Sequence, residues 1–192
     1  MNLTFAFATT GDAVEIAALR NAAAAKLTET YGTGVWSTGS TERGVLRGLA
    51  RPQFERTLIA RKGRAIVAVL HLQTKKPWAI DIKYFTPVPK ALYLVGMAVH
   101  PDFQRAGAGR AILKEAERVA RSWREHTEIG AASGLRKKSS SSSIRENPVT
   151  AIRLDAWDAT AGAGPFYAKC GYREVARVVY RGNPLIYYER LL

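Results

Sequence analysis

The chain has 192 residues, 47% of them hydrophobic and 23% charged, which is typical of a globular domain with one sizeable core. Its formal net charge of +13 favours acidic ligands and leaves nucleic acid and a phosphorylated cofactor both open. The sequence lacks an apolar run long enough to span a membrane, and its single cysteine excludes an intrachain disulfide and argues against a Cys/His zinc site. We therefore expect no metal, no membrane partner and, since no signal peptide is recognisable, a cytoplasmic location.

The first fifty residues predict one strand and two helices. Leu3–Ala8 alternates in polarity as a strand does, and Asp12 with Glu15 resembles a capping box at the start of a helix. That helix is expected to continue through apolar positions at helical spacing, which are Ile16, Leu19, Ala23 and Leu27. Thr41–Leu49 predicts a second, weaker helix.

Two predicted loops with aromatic residues stand on either side of a predicted hairpin. Thr30–Ser40 is rich in Gly and Thr, and its Trp36 is either an exposed ring or a core residue. Thr57–Arg61 and Arg64–Leu72 predict two strands joined by a tight turn. Lys75–Pro89 is interrupted by prolines, and its aromatic residues either line a pocket or fold back onto the core.

The centre of the sequence predicts a strand, a turn and a helix in succession. Leu92–Val99 is a short apolar run and indicates a buried strand. Pro101–Gly109 forms the turn and contains two glycines near its end. Arg110–Trp123 places its apolar residues on one face at helical spacing, as an amphipathic helix does.

The turn has the properties of an anion site. A helix start has backbone N–H groups without helical partners and carries a partial positive charge. Gly107 and Gly109 would let a large anion approach those groups, and Arg105 and Arg110 can add charged hydrogen bonds. The glycines alone are equally compatible with tight packing of the helix on the strand. The spacing does not match a Walker A loop or a dinucleotide fingerprint, in which Ile112 would have to be small.

The last third of the sequence predicts an irregular excursion followed by the end of a sheet. Residues 126–148, with five consecutive serines, predict a mobile surface loop, and a substrate lid or regulatory tail is the alternative. The predicted elements after it are a strand at Ala151–Trp157, a short helix at Ala161–Cys170 and strands at Tyr172–Tyr180 and Leu185–Leu191.

Two motifs resemble the signatures of one enzyme family. Gln104-Arg105-Ala106-Gly107-Ala108-Gly109, after Val99-His100-Pro101, resembles the acetyl-CoA signature Q/R-x-x-G-x-G/A of the GCN5-related N-acetyltransferases (GNAT). Phe166-Tyr167-Ala168-Lys169-Cys170-Gly171-Tyr172 resembles the second signature of that family. The resemblance covers nearly the whole chain. It implies one α/β GNAT domain over residues 1–192, with a mixed, mostly antiparallel sheet of about seven strands, splayed central parallel strands and flanking helices.

The same resemblance implies a cofactor site. The pantetheine arm of acetyl-CoA would lie between Leu92–Val99 and Ala151–Trp157, and its pyrophosphate would lie on the turn. Thr160 stands where relatives often carry an asparagine that meets the cofactor. The residues expected to bind the cofactor are Met97, Ala98, Val99, Gln104, Arg105, Ala106, Gly107, Ala108, Gly109, Arg110 and Thr160.

By resemblance, Tyr167 is the expected catalytic acid for the coenzyme A sulfur, and the alternative is a core aromatic residue. The backbone N–H of Met97 or Ala98 is expected to stabilise the oxyanion. Many relatives keep a glutamate base near the central strand, but Ala91–Val99 contains no carboxylate. The carboxylates that remain as candidates are Glu29, Asp81, Asp155 and Asp158.

The predicted function is therefore N-acetyl transfer (EC 2.3.1.-) from acetyl-CoA to a primary amine by direct attack. The acceptor is a small-molecule or peptide amine of unidentified structure, and Thr28–Ser40 with Trp78–Phe85 are expected to form its site. Nucleic acid is not the expected partner, and a homodimer is compatible with the sequence. The alternatives are a non-catalytic basic module that binds nucleic acid or an acidic protein on the same fold, and an acyltransferase that uses a longer acyl-CoA.

Overall fold

Seven strands form one mixed sheet in the part of the chain described by the computed structural model, which comprises residues 1–50, 54–123 and 147–192. The order across the sheet is β1-β2-β3-β4-β5-β7-β6, and only β4 and β5 run parallel. This architecture confirms the predicted mixed sheet with its central parallel pair. The strands are β1 Thr4–Phe7, β2 Glu55–Lys62, β3 Ala65–Gln73, β4 Ala91–Val99, β5 Ala151–Trp157, β6 Arg173–Tyr180 and β7 Asn183–Leu191.

Helices cover both faces of the sheet, because each helix has an apolar stripe to bury. The predicted apolar face of α3 is confirmed, since Ile112, Leu113 and Ala116 are buried against the sheet. On the opposite face, α1 and α2 enclose a second core around Ile16 and Val45. The helices are α1 Ala13–Tyr31, α2 Glu42–Leu49, α3 Ala108–Arg121 and α4 Gly164–Lys169.

The start of α1 differs from the predicted capping box. Asp12 is the N-cap residue, but its carboxylate accepts hydrogen bonds from the backbone N and hydroxyl of Thr9 at 2.7 and 2.9 Å. Glu15 points to the sheet, where it pairs with Arg61 at 3.2 Å and accepts a bond from the backbone of Ile66. These partners come from β2 and β3, so their proximity could not be read from local spacing.

The aromatic residues of the two predicted loops differ in how far they are buried. Phe85 folds back onto the core and stacks on Tyr187 with ring centroids 5.4 Å apart, whereas Trp78 is 84% exposed. Trp36 is half-buried in a short 3-10 helix at Val35–Ser37, and its ring meets the edge of Trp157 at 6.4 Å. The predicted loop at 126–148 lies almost entirely outside the described residues. No described helix combines the length and the apolar character that a bilayer span needs.

The two parallel strands separate in the middle of the sheet. β4 and β5 pair at Ala91–Tyr93, opposite Ala151–Arg153, and no further. Beyond that point β4 carries a bulge against β3, because Val69 pairs with Ala98 but His71 pairs with Val95. Gly96 occupies the bulge with φ of +65°, a conformation that suits glycine. The bulge bends β4 where it leaves β5, and the gap between the strands positions the site.

Candidate active site

A cleft of about 350 Å³ lies beside the end of β4, between the turn into α3 and the helix α4. Its walls combine the two sequence motifs, which are more than fifty residues apart in the chain. The lining residues are Met97, Ala98, Val99, Gln104, Arg105, Gly107, Gly109, Ala163, Phe166 and Tyr167.

The turn into α3 leaves its backbone donors accessible. Gly107 is the N-cap of α3 with φ of +90°, and a Cβ placed on it would contact no atom within 4 Å. No side chain caps this end, and within the described residues no backbone acceptor outside the helix bonds the N–H groups of Ala108, Gly109 or Arg110. Open space therefore faces a helix start with unpaired N–H groups, which is the arrangement that binds anions.

The second glycine of the motif has a packing role. A Cβ on Gly109 would lie 3.1 Å from Cζ of Phe166 and 3.4 Å from Cε of Met97. Gly109 thus lets the first turn of α3 contact α4 and β4 closely. Both interpretations of the glycines hold, one at each position: Gly107 leaves room for a ligand, and Gly109 allows close packing.

The remaining polar residues of the turn have distinct positions. Arg105 is exposed at the cleft, also in the left-handed region with φ of +60°. The amide of Gln104 donates to the backbone oxygen of Val99 at 3.2 Å, which ties the turn to the end of β4. Arg110 points along α3 and donates to the backbone oxygen of Lys169 at 3.2 Å.

Four of the residues expected to bind the cofactor do not line the cleft. Ala108 is fully buried in the core, Ala106 and Thr160 are exposed elsewhere, and Arg110 is engaged with α4. Ala108 and Arg110 still contribute backbone N–H groups to the helix start. Two lining residues, Ala163 and Phe166, were not among the expected ones. Both lie within or next to the second motif, where adjacency to Tyr167 was the available signal.

Tyr167 lies at the inner end of the cleft. It is only 6% exposed, and its hydroxyl lies 3.9 Å from Sδ of Met97. Burial raises the pKa of Tyr167, and the negative charge of Asp155 raises it further. The phenol therefore stays protonated at neutral pH and can act as a hydrogen-bond donor.

The four candidate carboxylates divide into two groups. Glu29, Asp81 and Asp158 each form an ion pair with a nearby Lys or Arg, at 2.9, 3.0 and 2.9 Å. The pKa values of Glu29 and Asp81 are lowered, chiefly by the hydrogen bonds from their Lys partners. Such exposed, ion-paired carboxylates are weak bases.

Asp155 is the exception. It lies on β5, two residues past the last pair with β4, and its side chain is half-buried. Burial raises the pKa of its carboxyl group, and among the described residues no Lys or Arg forms an ion pair with it. The negative charge of Asp155 also contributes to the raised pKa of Tyr167.

A second cavity of about 370 Å³ lies on the α1 face of β4 and shares Met97 and Ala98 with the cleft. Trp36 and the loop at Thr38–Ser40 form part of its wall, whereas no residue of Trp78–Phe85 does. The cavity is completed by α1 residues and the bulge, which contribute Arg20, Ala23, Ala24, Leu27 and Gly96.

Comparison with known proteins adds a family match. A family model described as an acetyltransferase (GNAT) domain matches residues 53–174, which include β4, the turn, α3 and α4. No curated protein matches the sequence.

Solved structures of acetyltransferases share the fold. An acetyltransferase from Thermus thermophilus is 18% identical, with a TM-score of 0.62 and coverage of 100% of this chain and 98% of the other. The putative acetyltransferase yncA of Salmonella typhimurium, solved with its cofactor acetyl-CoA, is 15% identical, with a TM-score of 0.59 and coverages of 98% and 93%. The PaiA N-acetyltransferase of Thermoplasma acidophilum, in complex with coenzyme A, is 11% identical, with a TM-score of 0.63 and coverages of 99% and 100%.

Proposed function

The chain belongs to the GNAT family of acetyltransferases, and from that premise we propose that it binds acetyl-CoA in the cleft and transfers the acetyl group to a primary amine by direct attack. The observation that carries this proposal is the open helix start at Gly107, at one end of a gap between two parallel strands. A diphosphate and an extended amide chain need these two features side by side.

The cofactor would be held mainly by backbone. Past Tyr93, β4 has no β5 partner, so its backbone groups on that side are available to the amides of the pantetheine arm. The pyrophosphate would meet the N–H groups at the start of α3, with Arg105 adding charge. Backbone binding of this kind tolerates variation in side chains but depends on the open space at Gly107.

The chemistry needs a base, an oxyanion donor and an acid. Asp155 is the proposed base, because its pKa is raised and no Lys or Arg of the described residues pairs with it. It would accept a proton from the acceptor ammonium, directly or through water, and the neutral amine that results would then attack the thioester carbon. The backbone N–H of Met97 or Ala98 would donate to the thioester oxygen as it gains charge. Tyr167 would then give its proton to the departing thiolate, so that free coenzyme A thiol and an amide are the products.

The test is release of free coenzyme A thiol with a panel of primary amines, run beside acetyl-CoA binding by calorimetry. We expect saturable binding and thiol release that depends on an amine. Longer acyl-CoA thioesters in the same assay would separate an acetyltransferase from a longer-chain acyltransferase. Absence of both binding and thiol release at millimolar acetyl-CoA would rule out the proposed function.

A further inference from the structure

Arg20 of α1 faces a cavity that adjoins the cofactor cleft. It lines the 370 Å³ cavity and also a neighbouring cavity of about 300 Å³, and both reach Gly96 at the bulge. The first of these shares Met97 and Ala98 with the cofactor cleft. A molecule in this space therefore approaches the acetyl group from the α1 face, with Arg20 on its other side.

The guanidinium of Arg20 is half-buried, and no partner for it lies among residues 1–50, 54–123 and 147–192. A Cβ on Gly96 would lie 3.8 Å from its Nη2 atom, so the group lies directly against the bulge. Throughout the described part of the chain, no carboxylate or other hydrogen-bond acceptor reaches it. Burial alone lowers the pKa of Arg20, and no nearby acid offsets this effect.

Other arginines of comparable burial are paired. Arg61 forms an ion pair with Glu15 at 3.2 Å, and Arg153 pairs with Glu189 at the same distance. Removing a cation from water without a counter-charge costs free energy that a protein normally offsets with a partner. A bound anion would supply that partner at Arg20.

Much of the remaining cavity wall is apolar, and Thr38 and Ser40 add polar groups at the loop. Ala23, Ala24 and Leu27 of α1 line one side, and Trp36 lines another. Trp157 contacts Trp36, and Asp155, two residues earlier on β5, faces the same side of the sheet. A ligand in this region would meet a cation at one end and apolar side chains along its body, and Asp155 lies on the same face of the sheet without lining the cavity.

We infer that the acceptor is a small amino carboxylate with an apolar or aromatic body, whose carboxylate pairs with the guanidinium of Arg20. This inference rests on the proposed function, because it assigns the acceptor of the same reaction. The planar guanidinium can bind both carboxylate oxygens, which fixes the distance and direction of the amine.

The test compares acceptors that differ only in the carboxylate. Phenylalanine is paired with phenethylamine, and 6-aminohexanoate with pentylamine, and kcat/KM is measured for each with saturating acetyl-CoA. In wild type we expect kcat/KM of at least one amino carboxylate to exceed that of the matching amine without the carboxylate at least tenfold. In Arg20→Gln that ratio should fall to near one, and in Arg20→Lys it should be intermediate. Arg47→Gln, an exposed arginine of α2 outside both cavities, is the control for total charge and should keep the wild-type ratio.

A binding measurement keeps the inference testable if no panel amine is acetylated. With coenzyme A present, 3-phenylpropionate should bind wild type at least tenfold more tightly than 3-phenylpropanol, and Arg20→Gln should remove the difference. Equal binding of the two, or equal kcat/KM for the members of both acceptor pairs, overturns the role of Arg20. Such a result would leave the proposed function standing as long as acetyl-CoA still binds, since that measurement does not involve Arg20.

Discussion

Asp155 and Tyr167 have environments that suit opposite roles at neutral pH. Both pKa values are raised, chiefly by burial. The ordinary pKa of an aspartate is 3.8, so a raised pKa makes the carboxylate of Asp155 a stronger base. The ordinary pKa of a tyrosine is 10.0, so a raised pKa keeps the phenol of Tyr167 protonated at neutral pH. The two environments therefore favour a proton acceptor at Asp155 and a proton donor at Tyr167.

Asp155→Asn should lower activity and raise stability together. We expect kcat/KM at pH 7 to fall roughly 100-fold or more, because the proposed general base is lost. The folded pKa of Asp155 lies above its unfolded value, so stability is lost as pH rises through that interval and remains lost at pH 7. Asparagine avoids this cost. The melting temperature of the Asp155→Asn variant should therefore exceed that of wild type at pH 7. The difference should vanish well below pH 4, where the carboxyl group of wild type is protonated in both the folded and the unfolded state.

Asp158→Asn is the matched control for that experiment. Asp158 lies three residues further along and pairs with Arg177 at 2.9 Å on the surface. Its replacement should leave kcat/KM unchanged and should not raise the melting temperature. If Asp155→Asn retained wild-type activity at pH 7, the base would have to be another group or bulk water.

Tyr167→Phe should reduce kcat roughly 100- to 1,000-fold and leave the KM for acetyl-CoA nearly unchanged, because the proposed proton donor would act on the leaving group. Stability should change little, since the hydroxyl makes only a 3.9 Å contact with Sδ of Met97. Because the pKa of Tyr167 is raised, wild-type activity should show no alkaline loss due to this group below about pH 10.

Tyr172→Phe provides the comparison for Tyr167. The Tyr172 ring lies 5.9 Å from the ring of Tyr167, but Tyr172 does not line the cleft. Its buried hydroxyl finds no hydrogen-bond partner in the described ranges, so its removal should be neutral or stabilising. Activity should be retained. Equal losses of activity in the two variants would mean that both act through packing and not through a proton.

The strand, turn and helix formed by β4 and α3 could be predicted because their signals are local. An apolar run, two glycines and an amphipathic stretch follow one another within about thirty residues, and each has a direct physical meaning. The turn then requires the left-handed backbone found at Gly107. Elements of this kind are fixed by their own sequence and change little when they pack.

The acceptor side could not be predicted in the same way. Arg20 lies on an alanine-rich helix, where it is indistinguishable from a solvated residue until α1 packs against β4. The bulge that meets it depends on the register between β3 and β4, which is a pairing of distant segments. The sequence offers Asp155 as one of four candidate bases and does not rank them. Its burial, and the absence of an ion pair to it within the described residues, are what distinguish it.

Gly107→Glu tests the role of the turn, with Gly182→Glu as its control. Both glycines have φ near +80 to +90°, and at neither would an added Cβ have an atom within 4 Å, so the backbone strain should be similar, about 1–2 kcal/mol. Gly182 lies in the β6–β7 turn, outside the cleft. We expect both variants to lose similar stability, whereas only Gly107→Glu should raise the KM for acetyl-CoA, by tenfold or more. A normal KM in Gly107→Glu would disprove the assignment of the pyrophosphate to this turn.

The net charge of +13 bears on the whole molecule and supports two kinds of ligand. It would attract coenzyme A, which carries several phosphate charges, and it would also attract a nucleic acid. The two ligands differ in how strongly they respond to salt. Duplex binding depends on the release of counterions from many phosphates, whereas a small cofactor in a cleft makes few such contacts and gains additional hydrogen bonds there.

Thermal unfolding with each ligand separates these cases. Acetyl-CoA at a hundred times its dissociation constant should add about 2.7 kcal/mol to the free energy of unfolding, which corresponds to a rise of roughly 5–11 °C in melting temperature for a chain of this size. That rise should persist, at a fixed ratio of acetyl-CoA to dissociation constant, between 50 and 200 mM NaCl. Any rise caused by a DNA duplex should fall steeply over the same range, because its affinity changes with the logarithm of salt concentration in proportion to the phosphates contacted. The contrary outcome is a melting temperature that rises with the duplex and not with millimolar acetyl-CoA. That result would make the protein a basic binding module on an acetyltransferase fold, because a cofactor that binds the folded state always stabilises it.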